Sequence, residues 1–313
     1  MNTSDLSIVV ISHNTRDMTL ACLKSVYAET KTPFELIVVD NDSQDGSADA
    51  IAKDFPDVTL ISEKINHGFA PAHSIALRHA SAPWLLLLNP DTVVLDSALD
   101  KLFAHAQATP EAGIWGGRTL FADGTLNPSS CWGKMTPLSL IARLFFLTNL
   151  FPKSEILNSE EIGRWPRDTA RSVDIVTGCL FLIRRKDWDR LNGFDPAFKM
   201  YGEEADLCLR AQENGFRPRI TPTAEIIHHG GASDTIRAEK MVRLMRAKME
   251  IVKRHFSLLG RPIGLICLAL WPLSRGIVWS ILAVLGYPGA KQKAQIWMEI
   301  WRRRSEWKFG YNR

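Results

Sequence analysis

The stretch "LLLLNPDT" (residues 85–92) joins four consecutive leucines to a polar turn. Together with Trp84, the leucines form an apolar run without polar alternation, which is typical of a strand covered on both faces in a parallel sheet. Such a strand is expected to end at Pro90. A carboxylate just beyond that end, as at Asp91, lies where open α/β sheets bind their ligands. The alternative is a turn or cap residue before a helix predicted to begin near Asp96.

The surrounding apolar runs predict a parallel α/β sheet. Strands are predicted at Leu6–Ile11, Leu36–Val39, Val58–Ile61 and Trp84–Leu88, with helices between them at Met18–Tyr27, Ala48–Asp54 and Ala70–His79. This alternating order favours parallel strands joined by right-handed crossovers. Later strands are predicted at Ile114–Trp115 and Val173–Ile183, and later helices at Glu203–Asn214, with Gly215 as C-cap, and at Ser233–Phe256.

Charge and tryptophan content set the end of the chain apart from the rest. The 313 residues carry a formal net charge of +4. From Arg261 onward, nine basic and two acidic residues give +7, which leaves −3 for the first 260 residues. Five of the ten tryptophans also lie in this tail. We therefore expect one large domain over residues 1–260 and a helical appendage over residues 261–313.

The five cysteines are scattered, without a C-x-x-C pair. This spacing favours neither a disulfide scaffold nor a zinc site, and it is typical of reduced cytosolic thiols. The first apolar run, Ile8–Ile11, has no basic segment before it and is too short for a signal peptide. We expect a cytoplasmic protein.

Polar residues that follow the predicted strands are candidates for nucleotide binding. Asp40, in "VVDNDSQDGS" (38–47), closes the second strand and can accept hydrogen bonds from a ribose or a base, whereas a turn role suits Asp42, Ser43 and Asp45 better. In "NHGFAPAHS" (66–74), a polar turn with glycine precedes a helix whose N-terminus could face phosphate. The dinucleotide fingerprint G-x-G-x-x-G is missing, which disfavours a dehydrogenase. Gly178 either lets a substrate approach the backbone or marks a bulge.

Seven blocks together resemble glycosyltransferase family 2, and most closely its bacterial rhamnosyltransferase-like branch. In chain order they are "IVVISHN" (8–14), "LIVVDNDSQDGS" (36–47), "NHGFAPAHS" (66–74), "LLLLNPDT" (85–92), "VTGCLFLIRR" (176–185), "GFDPAFKMYGEEADLCLR" (193–210) and "IIHHGGAS" (226–233). The blocks keep the family's order and spacing over roughly residues 6 to 235.

The resemblance implies a GT-A fold, which is Rossmann-like with a mostly parallel central sheet. It also implies a nucleoside-diphosphate sugar donor, a divalent cation (Mg²⁺ or Mn²⁺) and transfer with inversion. The donor-binding residues that it indicates are Ser12, His13, Asn14, Asp40, Asn66, Gly68, Asn89 and Gly178.

For the metal, the resemblance puts Asn89-Pro90-Asp91 at the family's D-x-D position, with Asn in place of the first Asp. Asp91 is then the stronger ligand, and a divalent cation there would stabilise the departing diphosphate. The second ligand is expected to be His228 or His229, and the spacing to Gly231 and Ser233 favours His228.

For the catalytic base, the family reads Glu-Asp where this chain has Glu203-Glu204, and the second position is taken as the base. Helical spacing puts Glu204 alone of the three carboxylates on the apolar side of its helix. Partial burial there would raise its pKa, whereas the helix N-terminus favours the anion and opposes that rise. The alternative role for both glutamates is to complement the helix dipole. Asp206 and Arg210, four residues apart, are expected to form an ion pair.

The tail is long enough to cross a bilayer over Ile263–Leu285, at ~20 residues per crossing. Pro272 and Arg275 interrupt it, and a central arginine costs about 2.5–3.5 kcal/mol on insertion scales. We therefore predict two helices, split at Pro272, that lie in the membrane interface, with Arg302–Arg304 facing anionic lipid. The alternative is a buried helical hairpin, for example at a homodimer interface. No nucleic-acid recognition module accompanies the basic residues.

The segment Pro128–Pro166, rich in Leu and Phe from Leu138 to Phe151, is expected to be an acceptor-side or membrane-touching insert, with a core helix as the alternative.

These patterns predict a cytoplasmic glycosyltransferase on the inner face of the membrane. It would move a sugar, with rhamnose as the candidate, to a hydroxyl of a glycan or lipid-linked acceptor in cell-surface polysaccharide synthesis. One alternative is a nucleotidyltransferase, but "ISHNTRDM" (11–18) lacks the glycine-rich loop expected after its first strand. Another is a non-catalytic membrane scaffold with the same fold.

Overall fold

A computed structural model describes residues 4–198, 200–230 and 237–311, without the side chain of Arg237. The strands are β1 Leu6–Ser12, β2 Phe34–Asn41, β3 Thr59–Glu63, β4 Trp84–Leu88, β5 Thr92–Val94, β6 Ile114–Leu120, β7 Leu126–Asn127, β8 Cys131–Trp132, β9 Arg171–Ser172, β10 Ile175–Val176, β11 Leu180–Arg184 and β12 Arg219–His228. The helices are α1 Arg16–Glu29, α2 Ser47–Asp54, α3 Phe69–Ala76, α4 Ala98–Ala108, α5 Pro137–Leu144, α6 Leu147–Leu150, α7 Arg185–Arg190, α8 Glu203–Glu213, α9 Arg237–His255, α10 Gly260–Val284 and α11 Ala290–Arg302.

The central sheet has the strand order β3-β2-β1-β4-β11-β6-β12-β5. Strands β3, β2, β1 and β4 are mutually parallel, as the alternating strand and helix pattern predicts. Strand β11 runs antiparallel to β4 and β6, while β12 is parallel to β6. The predicted mixed α/β architecture with a mostly parallel sheet is confirmed.

The first and fourth strands form the centre of the core. Every residue of β1 is buried, and Leu85–Leu88 are at most 1% exposed. The unbroken apolar run at 84–88 therefore has the predicted cause: β4 lies inside the sheet, between β1 and β11, and is buried on both faces.

The predicted strand Val173–Ile183 is wrong as a single element. Residues 175–176 form β10, which pairs with β8 in a separate two-stranded sheet, whereas β11 belongs to the central sheet. The chain changes sheets at Thr177–Cys179, where the Thr177 hydroxyl donates to the carbonyl of Ser129 at 2.7 Å. Gly178 is part of this crossing.

Helix α8 ends as the glycine signal predicts. Gly215 has φ 88°, and the N–H of Phe216 donates to the carbonyl of Ala211 at 3.1 Å. This is a Schellman termination, in which glycine adopts the left-handed conformation at low cost.

The chain divides into two compact units. The first comprises Met1–Trp132, Pro166–Lys199 and Glu203–Ser233, and the second Gly133–Trp165, Met200–Gly202 and Asp234–Arg313. The second unit is larger than the appendage predicted from composition, because it includes α9 and residues 133–165 as well as the tail. The segment predicted to contain a long helix, Ser233–Phe256, includes α9, and its first four residues lie outside the described residues.

The predicted split of the tail at Pro272 is wrong, because α10 runs continuously from Gly260 to Val284. Proline inside a helix removes one backbone hydrogen bond and usually kinks or breaks it. Here buried residues lie on both sides of the proline, Leu268 and Trp271 before it and Arg275 and Gly276 after it, and this packing holds the helix together across Pro272. By length and composition α10 could cross a membrane, which is weak evidence since core helices of soluble proteins also meet that criterion.

Candidate active site

Asp91 lies just beyond the carboxyl end of β4, at the edge where the sequence predicts it. The next residues form β5, which pairs antiparallel with β12 so that Thr92 lies opposite His228. This pairing brings Nε2 of His228 to 3.5 Å from Oδ1 of Asp91. The N–H of His229 donates to the Asp91 carbonyl at 3.0 Å, and its side chain is exposed. The geometry therefore favours His228 over His229 as the partner of Asp91.

Asp91 is 7% exposed, yet it is held as a carboxylate. Burial alone acts to raise the pKa of Asp91, but the hydrogen bond and charge of His228, with a backbone bond from Gly230, lower the pKa below its usual value. Asp91 is thus ionised at neutral pH.

His228 is oriented by residues of the β7 region. Its Nδ1 lies 3.2 Å from the Ser129 hydroxyl, and Asn127 donates to its backbone carbonyl at 3.0 Å. The Asn89 amide nitrogen lies 3.4 Å from Nε2 of His228. A bond from Nδ1 fixes the ring and leaves Nε2 facing Asp91.

The Asn89 side chain has an unused acceptor. Its Oδ1 is buried and accepts no hydrogen bond from any residue that the structure describes. A buried acceptor without a donor is costly, and an ion or ligand group is a common reason for one. With Asp91 and His228, Asn89 offers two oxygens and an imidazole nitrogen, a donor set that fits Mg²⁺ or Mn²⁺.

Few protein side chains are placed to bind a metal at this site. Within residues 4–198, 200–230 and 237–311, no group of three or more His, Cys, Asp or Glu side chains is placed to hold a metal. A small set suits a cation whose shell is completed by phosphate oxygens and water.

Asp40, the penultimate residue of β2, lies opposite Ser12 of β1. It is 2% exposed, and its Oδ2 accepts from the N–H of Ser43 at 3.3 Å. Its Oδ1 is buried and accepts no hydrogen bond within the described part of the chain. Asp40 therefore retains an acceptor for a nucleoside.

Ser12, the last residue of β1, and the two residues after it contact mainly other parts of the protein. The Ser12 hydroxyl is buried and lies 2.9 Å from that of Thr19 in α1. His13 Nδ1 is 2.9 Å from the carbonyl of Asn41, and the Asn14 side chain accepts from the N–H of Gln44 at 2.7 Å. These contacts tie the β1 loop to the β2 loop, so donor contacts by Ser12 would require its hydroxyl to reorient.

Asn41 is a site residue that our sequence reasoning missed. Its Nδ2 donates to Asn66 Oδ1 at 3.1 Å and to the Gly68 carbonyl at 3.3 Å, and its Oδ1 accepts from the N–H of His67 at 3.0 Å. Gly68 has φ 83°, a value that favours glycine. Asn41 thus fixes the predicted turn at 66–68. Its position at the end of β2, between two aspartates, was the feature of the sequence that could have identified it as a site residue.

Gly178 borders an aromatic side chain rather than an open space. A Cβ atom there would lie 3.2 Å from Cζ of Phe69, the first residue of α3. The missing side chain accommodates Phe69, which also packs on His73 with ring centroids 4.3 Å apart. The contact explains the glycine without a substrate.

The two glutamates at the start of α8 differ in burial, and the expectation that Glu204 alone borders the apolar side is wrong. Glu203 is 4% exposed and Glu204 is half-buried. The face of α8 that carries Leu207 is buried, as predicted. Glu203 and Asp206, on the adjoining part of the helix surface, are buried as well. Burial, and then the nearby charge of Glu204, raise the pKa of Glu203 well above its usual value.

The predicted ion pair between Asp206 and Arg210 is confirmed, with Nε 2.7 Å from Oδ2. Arg210 also donates to the carbonyl of Leu191 and, through Nη2, to that of Gly193 at 2.7 Å. Asp206 is therefore structural, because it neutralises an arginine that fastens the turn after α7.

Cys179 connects the two halves of the site. Its N-terminal neighbours cross between sheets, and its carbonyl accepts from the N–H of Asn89 at 3.2 Å. Burial is the main cause that raises the Cys179 pKa to about 12; a hydrogen bond from Thr177 opposes it, and the charges of Asp91 and Glu204 add to it. Both carboxylates thus lie within electrostatic reach of one thiol.

Comparison with known proteins identifies the family. The model of glycosyl transferase family 2 matches residues 7–190, more than half of the chain, and a model described as the N-terminal domain of galactosyltransferase matches residues 168–231. The O-antigen biosynthesis protein RfbC of Myxococcus xanthus is 32% identical over 235 residues, which are 74% of this chain and 18% of that protein. The chain thus matches about a fifth of that relative's length.

A second relative and a solved structure support the same family and fold. The N-acetylglucosaminyl-diphospho-decaprenol L-rhamnosyltransferase of Mycobacterium tuberculosis is 26% identical over 238 residues, covering 72% of this chain and 76% of that protein. The structure of the mannosyltransferase PcManGT from Pyrobaculum calidifontis, in complex with GDP-Man and Mn²⁺, matches 98% of this chain and 88% of its own with a TM-score of 0.59 at 16% identity, a likeness of fold alone. The predicted GT-A fold and rhamnosyltransferase-like resemblance are confirmed, and this chain belongs to glycosyl transferase family 2.

Proposed function

We propose that this glycosyltransferase is an inverting, divalent-cation-dependent enzyme that moves a sugar from a nucleoside diphosphate to an acceptor hydroxyl. The observation that carries the proposal is the pairing of Asp91 with His228 beyond the carboxyl end of β4, next to a loop in which the charges of both Asp91 and Glu204 contribute to raising the pKa of Cys179. A metal-binding carboxylate and a candidate base are the two functions that this reaction needs.

The nucleoside would bind beside Asp40 and the 66–68 turn. Asp40 offers a buried acceptor oxygen to a ribose hydroxyl or a base N–H. The turn that Asn41 holds leads directly into the N-terminus of α3, and backbone N–H groups at a helix start favour phosphate.

Asp91 and His228, with Asn89 Oδ1, would hold the cation. A bound Mg²⁺ or Mn²⁺ supplies positive charge to the diphosphate as the bond to the sugar breaks, without a proton transfer. The ionised state of Asp91 and the unused Asn89 oxygen support this role. The Mn²⁺ in the mannosyltransferase complex supports the choice of metal.

Glu204 would remove the proton from the acceptor hydroxyl. The oxygen then attacks the anomeric carbon on the face opposite the diphosphate, which inverts the configuration. Burial, and then the nearby charge of Glu204, raise the pKa of Glu203 and favour its neutral form, so we assign the base to Glu204. A half-buried carboxylate at this position can reach a bound acceptor.

For the sugar and the acceptor, we propose rhamnose and a lipid-linked glycan in cell-surface polysaccharide synthesis. The Mycobacterium relative is named as an L-rhamnosyltransferase of a diphospho-decaprenol acceptor, and the Myxococcus relative as an O-antigen biosynthesis protein. Transfer would take place in the cytoplasm, at the inner face of the membrane.

The test is a panel of nucleotide sugars incubated with the purified chain, with Mn²⁺ or with EDTA. We expect thermal stabilisation by one nucleotide sugar, release of nucleoside diphosphate, and a product of inverted anomeric configuration by NMR. Asp91→Ala should abolish transfer while the melting temperature stays unchanged, and His229→Ala, at the exposed neighbouring histidine, should retain it.

Three outcomes would contradict the proposal. Full turnover with EDTA would refute the metal role. Release of pyrophosphate would indicate a nucleotidyltransferase. Absence of stabilisation by every nucleotide sugar, in a chain that unfolds cooperatively, would indicate a non-catalytic scaffold.

A further inference from the structure

Helix α10 carries a continuous apolar stripe on its exposed side. Large apolar side chains at seven positions, in α10 and directly after it, are between 39% and 88% exposed: Ile263, Ile266, Leu270, Ile277, Ile281, Val284 and Leu285. At about 100° per residue they lie within an arc of ~100° on the helix. Ile263 and Val284 are about 30 Å apart along the axis, at ~1.5 Å per residue.

The opposite side of α10 is fixed within the second unit. A Cβ atom on Gly264 would lie 2.8 Å from Cγ1 of Val252 in α9, and one on Gly276 would overlap the sulfur of Met298 in α11. Two neighbouring helices therefore approach the backbone of α10 closely, at positions where no larger residue fits. The direction in which the stripe faces is consequently set by packing.

The charged residue in the middle of α10 lies on the packed side. Arg275 is 9% exposed, donates through Nη2 to the carbonyl of Arg143 at 2.6 Å, and lies 3.5 Å from the ring centroid of Phe146. The stripe itself thus contains no charged residue from Ile263 to Leu285. Such a face, about 30 Å long, is unusual on a surface in contact with water.

The packing of α10 disfavours a crossing of the bilayer by this helix. Helix α9 packs along it and contains nine Lys, Arg, Asp or Glu residues, and α11 contains four more. A membrane-spanning α10 would carry these charges into the hydrocarbon layer, where charged side chains are strongly disfavoured. A helix that lies in the plane of the interface keeps them in water.

The charge of the tail indicates what covers the stripe. Lys293 of α11 lies 4.2 Å from the ring centroid of Trp279, in the last two turns of α10, where the stripe also ends at Val284 and Leu285. Other exposed basic residues of this region are Lys291, Arg302, Arg304 and Lys308. A second copy related by a twofold axis would bring the same basic residues towards each other. Anionic headgroups beside a hydrocarbon layer complement both the charge and the stripe.

We propose that the exposed stripe of α10 is a docking surface for an anionic membrane, with the helix parallel to the bilayer plane and its stripe at the level of the upper acyl chains. Lys291, Lys293 and the basic residues after α11 would contact the headgroups. This inference rests on the proposed membrane location, but it concerns binding and not sugar transfer.

The test is sedimentation of the full chain with phosphatidylcholine vesicles that contain or lack phosphatidylglycerol. We expect binding to the anionic vesicles that weakens as salt is raised, and at least a tenfold loss of affinity for the double variant Ile277→Glu/Ile281→Glu. Phe121→Glu, which makes the same change at an exposed apolar residue of the first unit, should bind like the wild type. Melting temperatures establish that each variant is folded.

Orientation is measured with spin labels on Ile263→Cys, Ile277→Cys and Val284→Cys. In-plane docking predicts similar, shallow depths for all three labels, whereas a spanning helix predicts its ends at opposite surfaces and its middle deepest. A wild-type chain that stays in the supernatant, or a folded double variant that binds equally well, overturns the proposal. So does a wild-type dimer that becomes monomeric in the double variant and does not bind vesicles, since it assigns the stripe to a second copy.

Discussion

Nε2 of His228 lies 3.5 Å from Oδ1 of Asp91, because β12 runs antiparallel to β5 with His228 opposite Thr92. A shift of this register by one residue would turn the imidazole to the other face of the sheet. The proposed metal site therefore depends on a strand pairing at the edge of the sheet as much as on its two side chains.

Replacing His228 by alanine is expected to weaken Mn²⁺ binding about tenfold or more, since an oriented metal ligand is lost. It should also change the pH dependence. His228 lowers the pKa of Asp91 against the effect of burial, so without it the pKa rises and protons compete with the metal at higher pH. Titration of Mn²⁺ by electron paramagnetic resonance between pH 4 and 8 measures both effects.

His229→Ala is the matched control for that experiment. The His229 side chain is exposed, and its contact with Asp91 is made by the backbone N–H, which alanine retains. Wild-type Mn²⁺ affinity is expected. A loss of affinity in this variant, with normal affinity in His228→Ala, would exchange the two roles.

Glu204→Gln is expected to lower kcat by about 10²- to 10⁴-fold, the usual contribution of a general base, with little change in donor affinity or melting temperature. Glu204→Asp should recover much of the activity, because it restores the carboxylate at a position one methylene shorter. Steady-state kinetics with saturating donor separates kcat from KM. An unchanged kcat in the glutamine variant would assign the proton transfer to another group.

In contrast to Glu204→Gln, Asp206→Asn should lower stability and leave kcat nearly unchanged. Asp206 is buried and paired with Arg210, whose side chain is 25% exposed, so loss of the negative charge is expected to destabilise the fold by about 1–3 kcal/mol, below the range for a fully buried pair. Urea unfolding measures this. At a temperature where the variant is folded, kcat should remain near that of the wild type, which distinguishes a structural carboxylate from a catalytic one.

The central strands could be predicted because they are covered on both faces, which writes an unbroken apolar run into the sequence at Leu36–Val39 and Trp84–Leu88. Strand β12 was missed, since its core residues Ile220, Ala224 and Ile226 alternate with polar residues around Pro222. The position of Asp91, directly after a predicted strand, also identified it as a candidate site residue. Its partner His228, by contrast, reaches it through a long-range strand pairing that local patterns do not encode.

Burial at the glutamate pair was the part least accessible to sequence. A single helical stripe through Leu207 and Cys208 predicts one buried face, but α8 is buried over a wider arc that also takes in Glu203. How far a helix is enclosed depends on what packs around it, and periodicity records only the direction of its most apolar side.

The raised pKa of Glu203 predicts a pH-dependent stability. The unfolded chain loses the proton near pH ~4.3, whereas the folded protein holds it to a higher pH. The free energy of unfolding should therefore fall as pH rises above about 4.3, until the folded state also ionises. Glu203→Gln removes this effect, so its melting temperature should exceed that of the wild type at pH 8 and match it at pH 4.

Thermal unfolding from pH 4 to pH 9 tests this, with Glu213→Gln as control at the exposed end of the same helix. A control variant that reproduces the gain would show that general charge reduction is the cause. A Glu203→Gln variant less stable than the wild type at pH 8 would show that the ionised carboxylate stabilises the fold.

Asn41 gives a prediction for the donor side of the site. Asn41→Ala removes the hydrogen bonds to Asn66, His67 and Gly68. Asn41→Asp keeps the acceptor for the His67 N–H, but it turns a carboxylate oxygen towards the oxygens of Asn66 and Gly68. Repulsion between these oxygens should make the aspartate variant the worse of the two. A buried polar group left without its partner costs about 1–3 kcal/mol, so donor affinity should fall roughly tenfold or more.

Calorimetric titration with the nucleotide sugar that the wild type binds measures this loss, and the reverse isosteric change at the next residue, Asp42→Asn, is the control. The Asp42 side chain bonds only to Gln44 among the contacts that the structure describes for it, at 3.1 Å, so donor affinity should stay within about twofold. If Asn41→Asp binds the donor as tightly as the wild type, the 66–68 turn does not shape the donor site, and nucleotide recognition must depend on Asp40 and the β1 loop instead.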